Sequence, residues 1–261
     1  MKTKIKKVIR KLMPNMYARL AEIKSNKILK QFKKDYPNTK IFEPVHKDAR
    51  KLYSQDNQDY IVYENFFKGK KNGFFCDIGG NHPLTINNTI YFEELGWNGI
   101  VFEPLPYMSE LWANHRKAKL FPFALSDSEG KVTFTIVKDS TGWEDMLSFI
   151  KETRDVDYDY ETEEIEVETK VFKDIVEREN IKQIDYLSLD VEGHELNVLK
   201  GIDFNKVRIN ILTIENNPAS CYIYGDERIR EIMFENNFKL WGRTIGLDDI
   251  YVNKDFLESL G

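Results

Sequence analysis

Cysteine is scarce in this 261-residue chain, which holds two, Cys76 and Cys221. Two cysteines cannot build the disulfide framework of a small secreted domain, and this pair lacks the spacing of a metal knuckle. Cys76 lies inside an apolar run and reads as a core residue in a reducing compartment. No apolar run reaches the ~18–20 residues of a membrane span. The N-terminus is charged but lacks the apolar stretch of a secretory signal. Internal repeats and low-complexity tracts are missing too. These absences lead to the expectation of a cytoplasmic protein.

Acid is nearly missing from one end of the chain. Residues 1–34 hold twelve Lys and Arg against one acid, Glu22, for a charge of +11; the remainder holds 26 basic and 42 acidic residues, for −16. An acidic body is a poor clamp for nucleic acid, so no nucleic-acid partner is expected, and any basic contact surface lies in the arm. There Ile5, Val8, Ile9, Leu12 and Met13 recur at helical spacing, and Pro14 breaks the pattern into two helices. The arm reads either as a solvated accessory segment or as a peripheral contact with an anionic membrane or a biosynthetic partner. Residues 1–50 are therefore assigned to a basic helical extension and linker, with the linker near Tyr36–Pro44. Residues 51–261 form one domain, and 41% hydrophobic content is enough to give it a sizeable core.

What is present is an alternation of strands and helices. Gly73–Ile78, Gly99–Phe102, Leu120–Phe123, Lys131–Val137, Ile184–Leu189 and Ile209–Ile214 read as strands. Gln55–Phe67, Thr85–Leu95, Tyr107–Arg116, Thr169–Glu179, Glu195–Lys200 and Asp226–Asn236 read as helices. Two short strands, Phe238–Gly242 and Asp249–Val252, end the chain. The acid-rich stretch Asp155–Glu168 reads as a solvated surface insertion whose second half alternates like a one-sided strand. The sum is an α/β fold, a mostly parallel sheet wrapped by helices.

In such a sheet, ligands bind beyond the carboxyl ends of the strands. Here Asp77, Glu103, Asp190 and Glu215 each close a different apolar run. Carboxylates that gather at one rim repel, so a shared cation or cationic ligand is a natural partner. Asp77-Ile78-Gly79-Gly80-Asn81 makes a tight turn, and Glu103 follows about 20–25 residues on, the spacing of an acid that reaches ribose hydroxyls. The turn lacks the G-x-G-x-x-G pattern that a pyrophosphate wants. That contrast favours S-adenosylmethionine over a dinucleotide.

The run Ile184-Asp185-Tyr186-Leu187-Ser188-Leu189-Asp190-Val191-Glu192-Gly193-His194-Glu195 resembles the signature of FkbM-type methyltransferases. Asp77–Asn81, Val101–Pro104, Ala124–Asp127 with Gly130, and Asp248–Val252 agree in order, and the resemblance spans roughly Ser54 to Phe256. Asn81-His82-Pro83 with Asn88-Thr89 looks like one subgroup. The resemblance implies a Rossmann-like class I methyltransferase sheet, with residues 1–50 as a helical extension outside it. It implies S-adenosylmethionine-dependent O-methyl transfer to a hydroxyl of a sugar or glycan in surface polysaccharide or glycoconjugate biosynthesis. Carried over by position, Asp77, Gly79, Gly80, Asn81, Asn88 and Thr89 belong to the cofactor site. Glu103 takes the ribose hydroxyls, and Ala124, Leu125 and Ser126 flank the adenine.

For the chemistry, Asp190, His194 and Glu192 are the candidate catalytic residues, with His194 placed to take the acceptor proton. Asp190, Glu215 and Asn216 resemble the metal-binding arrangement of catechol O-methyltransferase. Hard oxygen donors of this kind suit Mg²⁺ or another divalent cation. Trp143, Tyr158, Tyr160, Tyr222 and Tyr224 fall in or beside loops, where rings can stack on a sugar or anchor the loop. The rival readings are a decayed, non-catalytic binding module and a nicotinamide-dependent enzyme on the same fold.

Overall fold

The computed structural model describes residues 27, 29–42, 53–138, 144–153, 161–216, 225–244 and 248–261. The arm up to residue 26, Cys221 and the loop aromatics Trp143, Tyr158, Tyr160, Tyr222 and Tyr224 lie outside the described residues. The strands of the main sheet are β1 (Lys40–Phe42), β2 (Phe74–Ile78), β3 (Asn98–Phe102), β4 (Lys119–Phe121), β9 (Gln183–Leu189), β10 (Arg208–Glu215), β11 (Phe238–Thr244) and β12 (Asp248–Asn253). Between β4 and β9 the chain adds β5 (Ala124–Ser126), β6 (Gly130–Lys138), β7 (Phe149–Ile150) and β8 (Glu161–Val171).

The main sheet has the order β1-β11-β12-β10-β9-β2-β3-β4. Strands β4, β3, β2, β9 and β10 run parallel, and β12 pairs antiparallel with both β10 and β11. This is a mostly parallel, Rossmann-like sheet. The central strands are legible as unbroken apolar runs because both of their faces are covered. Phe75 and Tyr186 pack on one face with Phe92 and Trp97, while Cys76 and Leu187 pack on the other with Val198 and Phe172. Cys76 is a free, buried core thiol.

Several elements depart from expectation. The Tyr36–Pro44 segment holds β1, which pairs parallel with β11 at the sheet edge, and Phe32 is fully buried in the core. The region assigned to extension and linker thus gives the sheet one strand and the core one side chain. The expected helix at Thr85–Leu95 spans only Ile90–Glu94, because Asn87 Oδ1 accepts the backbone N–H groups of Thr89 and Ile90 and holds an Asx-type turn ahead of it. Thr169–Val171, expected in a helix, closes β8 instead; the helix starts at Phe172.

The acid-rich insertion forms the long strand β8, which pairs with β5 and β6 in a separate sheet of order β5-β8-β6-β7. Its outward glutamates meet lysines: Glu166 with Lys131, Glu163 with Lys138, and Glu164 with Lys151. All three pairs are exposed, so they define register and solubility more than stability. A final helix, Lys254–Ser259, is capped by the Asn253 side chain. Among the described residues no helix is long and apolar enough to cross a membrane.

Candidate active site

The site begins where β2 ends. Gly79 has φ +86, and a Cβ there would sit 1.7 Å from the Asp190 carbonyl oxygen, so the turn needs glycine. Its N–H donates to Phe102 O at 3.0 Å, and Asp190 N–H donates to Ile78 O at 3.0 Å. The tips of β2, β3 and β9 are thereby laced together. Gly80 packs its backbone on Val101 and Trp112. Glu103, 4% exposed, accepts from Asn81 N–H on one carboxylate oxygen and from Leu105 N–H on the other, each at 2.8 Å. Those two bonds hold the carboxylate at the edge of the cleft. Asn81 Oδ1 is buried without a partner.

Behind the turn lies a buried polar brace. Asp77 accepts from Thr89 Oγ1 at 2.7 Å and from Asn87 Nδ2 at 3.3 Å. Burial pushes its carboxyl above the ordinary value, and Thr89, Arg116 and Asn87 offset part of that. Arg116 donates to Asn87 Oδ1, Pro83 O and Thr89 Oγ1, and its Nε faces Glu93 at 3.2 Å as an ion pair without hydrogen-bond alignment. Trp112 Nε1 donates to Asn81 O at 2.7 Å, and Asn88 Nδ2 reaches Ser188 Oγ at 2.9 Å. Asp77, Gly80, Asn88 and Thr89 therefore hold the turn from behind. Sequence reasoning missed Asn87, Trp112 and Arg116. Asn87 carried a signal, a turn-forming Asn before an apolar helix; the other two carried none.

On the other side of Asp190 is an acidic cluster. Asp190, Glu195 and Glu215 each bring a carboxylate oxygen within 4.8 Å of the others. Burial pushes Asp190 and Glu215 well above their ordinary values; Asp190 raises Glu215 further, and Glu192, Glu195 and Asp248 raise both. Asp248, bonded to Gln58, is raised to about 7, chiefly by burial and then by Asp56. Glu195 Oε1 accepts from the N–H groups of Val191 and Gly193, which ties the loop after β9 to the following helix. Asn216 does not join this cluster. Its Oδ1 accepts from Asp226 N–H, and its Nδ2 donates to Asp249 Oδ2 at 2.8 Å. The acidic set is thus Asp190, Glu215 and Glu195, with Asn216 committed to the interior.

His194 sits apart from these acids. It is 4% exposed, and its Nε2 lies 3.0 Å from Ser126 Oγ. Burial pushes its imidazole down to about 4, with Asp127 and Glu152 opposing. Glu192, at φ 55, and Gly193, at φ 106, turn the chain between Asp190 and His194.

These parts meet in a cleft that is partly open to solvent. Gly79, Asn81, Glu103, Ala124, Leu125, Asp190, Glu192 and His194 all line it, with Phe134 and Ile150 from the second sheet and Met146 from the turn between β6 and β7 as an apolar wall. An apolar wall facing a few convergent polar groups is the usual make-up of a small-molecule site. A sequence profile of the methyltransferase FkbM domain matches residues 77–240, from the β2 tip to β11. No curated protein and no solved structure gives a significant match. The profile covers more than half of the chain and contains every residue of the turn, the acidic cluster and the cleft wall named above, so the chain belongs to the FkbM methyltransferase family.

Proposed function

We propose that this methyltransferase uses S-adenosylmethionine and methylates a hydroxyl of a sugar or glycan, with a divalent cation at the acidic rim. The observation that carries the proposal is the cleft itself. Glu103 lines it just past β3, glycine turns beneath it after β2, and Asp190 stands at its edge just past β9. In this reading Glu103 accepts from the ribose hydroxyls, Gly79 and Asn81 border the methionine end, and Ala124 and Leu125 flank the adenine. The donor supplies an activated methyl group on a sulfonium.

The remaining work is to align the acceptor oxygen and take up its proton. Asp190 serves here. Its carboxylate lines the cleft, and its backbone is fixed by the bond to Ile78. Substituting Asp190→Asn should lower kcat by about 10²–10⁴-fold while leaving S-adenosylhomocysteine affinity little changed. A kcat near that of the wild type would remove Asp190 from the chemistry.

The donor set suits a hard divalent cation held by Asp190, Glu215 and Glu195. A carboxyl raised in the folded state destabilises the fold as pH rises through its shifted pKa, because the native state must give up a proton it holds tightly. A bound cation relieves that repulsion. Millimolar Mg²⁺ or Mn²⁺ should therefore raise Tm more at pH 8 than at pH 5, and dialysis against a chelator should cut turnover. Unchanged melting at both pH values, together with unchanged turnover, would dispose of the cation.

The overall test is transfer of labelled methyl to nucleotide sugars and to surface glycan, with the product position mapped by mass spectrometry. Calorimetry with S-adenosylhomocysteine and with NAD separates this reading from a nicotinamide enzyme. Uptake of NAD alone would overturn it.

A further inference from the structure

His194 carries an unused acceptor. Its Nδ1 is buried with no hydrogen-bond partner, on a side chain that lines the cleft. The tautomer follows from the chain of contacts around it. Ser126 Oγ donates to Asp127 Oδ1 at 3.3 Å, and Asp127 can only accept. Ser126 Oγ is then the acceptor for His194 Nε2–H at 3.0 Å. The second ring nitrogen is left as a bare lone pair. The ring is buried, so bulk water does not supply the missing donor. A buried acceptor without a donor is unfavourable, and a ligand that brings an N–H removes that penalty.

The surroundings say which N–H fits. Ala124 and Leu125 stand beside His194, and Phe134 and Ile150 close the wall. A flat base fits such walls, with one polar edge turned to the imidazole. Asp190, by contrast, takes its charge interactions from Glu192, Asp248, Glu195 and Asp77, while His194 takes its own from Asp127 and Glu152. The two residues therefore serve different ends of the cleft.

We infer that His194 is a specificity residue for the donor's base, its Nδ1 accepting a hydrogen bond from the exocyclic amine of adenine. The inference rests on S-adenosylmethionine being the donor, and it moves His194 from the acceptor proton to the purine edge. It predicts discrimination against a base with a carbonyl at that position, which would set two acceptors face to face.

The test is calorimetry with S-adenosylhomocysteine and S-inosylhomocysteine on the wild type and on His194→Phe, which keeps a ring and removes the nitrogen. The wild type should bind the adenosyl compound about tenfold or more tightly than the inosyl one. The variant should lose most of that preference. If the wild type binds neither compound, the donor reading fails and takes the inference with it. Equal binding of both leaves the donor reading standing and overturns the inference. So does a variant that keeps the preference and loses only kcat. Should the variant not fold, ¹⁵N NMR of the wild type decides: the His194 Nδ1 resonance should move when S-adenosylhomocysteine is added, and a resonance that stays in place overturns the assignment.

Discussion

Substituting Asp249→Ala should cost about 3–5 kcal/mol of stability, the usual penalty for removing one partner of a buried charge network. Asp249 is fully buried on β12 and accepts from Asn216 Nδ2, from Arg230 Nε at 3.1 Å, from Tyr251 OH at 3.0 Å and from Arg243 Nη1. Arg230 is also fully buried, Arg243 is 2% exposed, and the Phe32 ring lies 5.2 and 5.7 Å from their guanidinium carbons. Without the aspartate, Arg230 keeps its ion pair with Glu227 and Arg243 its bond to Asn216 O, but the carboxylate that joins the two guanidinium groups is gone. Burial pushes the Asp249 carboxyl up, but Arg243 and Arg230, with the bonds from Asn216 and Arg243, bring it below its ordinary value of 3.8. The sign is then fixed. The network stabilises the fold above the unfolded pKa and loses that contribution as pH falls through the depressed folded pKa. Urea melts at pH 7 measure the loss directly. A change below about 1 kcal/mol would mean that water reaches the arginines in the variant. The acidic cluster responds in the opposite direction, because its carboxyls are raised. Its burden falls as pH drops, so maximum stability lies between the two regimes.

The parallel strands were legible because burial on both faces leaves unbroken apolar runs such as Ile184–Leu189 and Ile209–Ile214. Strand β1 was not. Three residues between Pro37 and Pro44 are too few to set a period, and only pairing with β11 makes them a strand. The site shows the same division. Glu103 and Gly79 were readable because turn and strand-tip positions impose their own residue types. Asn216 was misleading for a reason intrinsic to strands. Neighbouring residues at the end of β10 point to opposite faces, so Glu215 faces Asp190 while Asn216 turns inward to Asp249. His194 owes its place to loop geometry. Four residues past Asp190 would share its face on a helix, but Glu192 and Gly193 at positive φ break that relation and deliver the imidazole to Ser126. The brace of Asn87, Trp112 and Arg116 depends on contacts between segments far apart in sequence, which no local pattern encodes.

Gly79→Ala should reduce kcat/KM by about 10²-fold or more, because a displacement near 1 Å at a reacting site has an effect of that order. Two penalties arise at this position, and they can be separated. An L-residue at φ +86 pays about 1–2 kcal/mol in backbone strain. Its Cβ would also lie 1.7 Å from Asp190 O, a contact that backbone movement alone can relieve. That movement pulls the β2 tip from the β9 tip and carries Asp190 with it, since Asp190 N–H is bonded to Ile78 O. Gly69 supplies the control. Its φ is +83, almost the same, but a Cβ there meets nothing within 4 Å. Gly69→Ala should therefore show the strain alone, as a lowered melting temperature with kcat/KM intact. Gly79→Ala should show a comparable or larger stability loss together with the kinetic defect. If the two variants prove kinetically alike, the close approach of the β2 turn to Asp190 is not what holds the donor and the base in register.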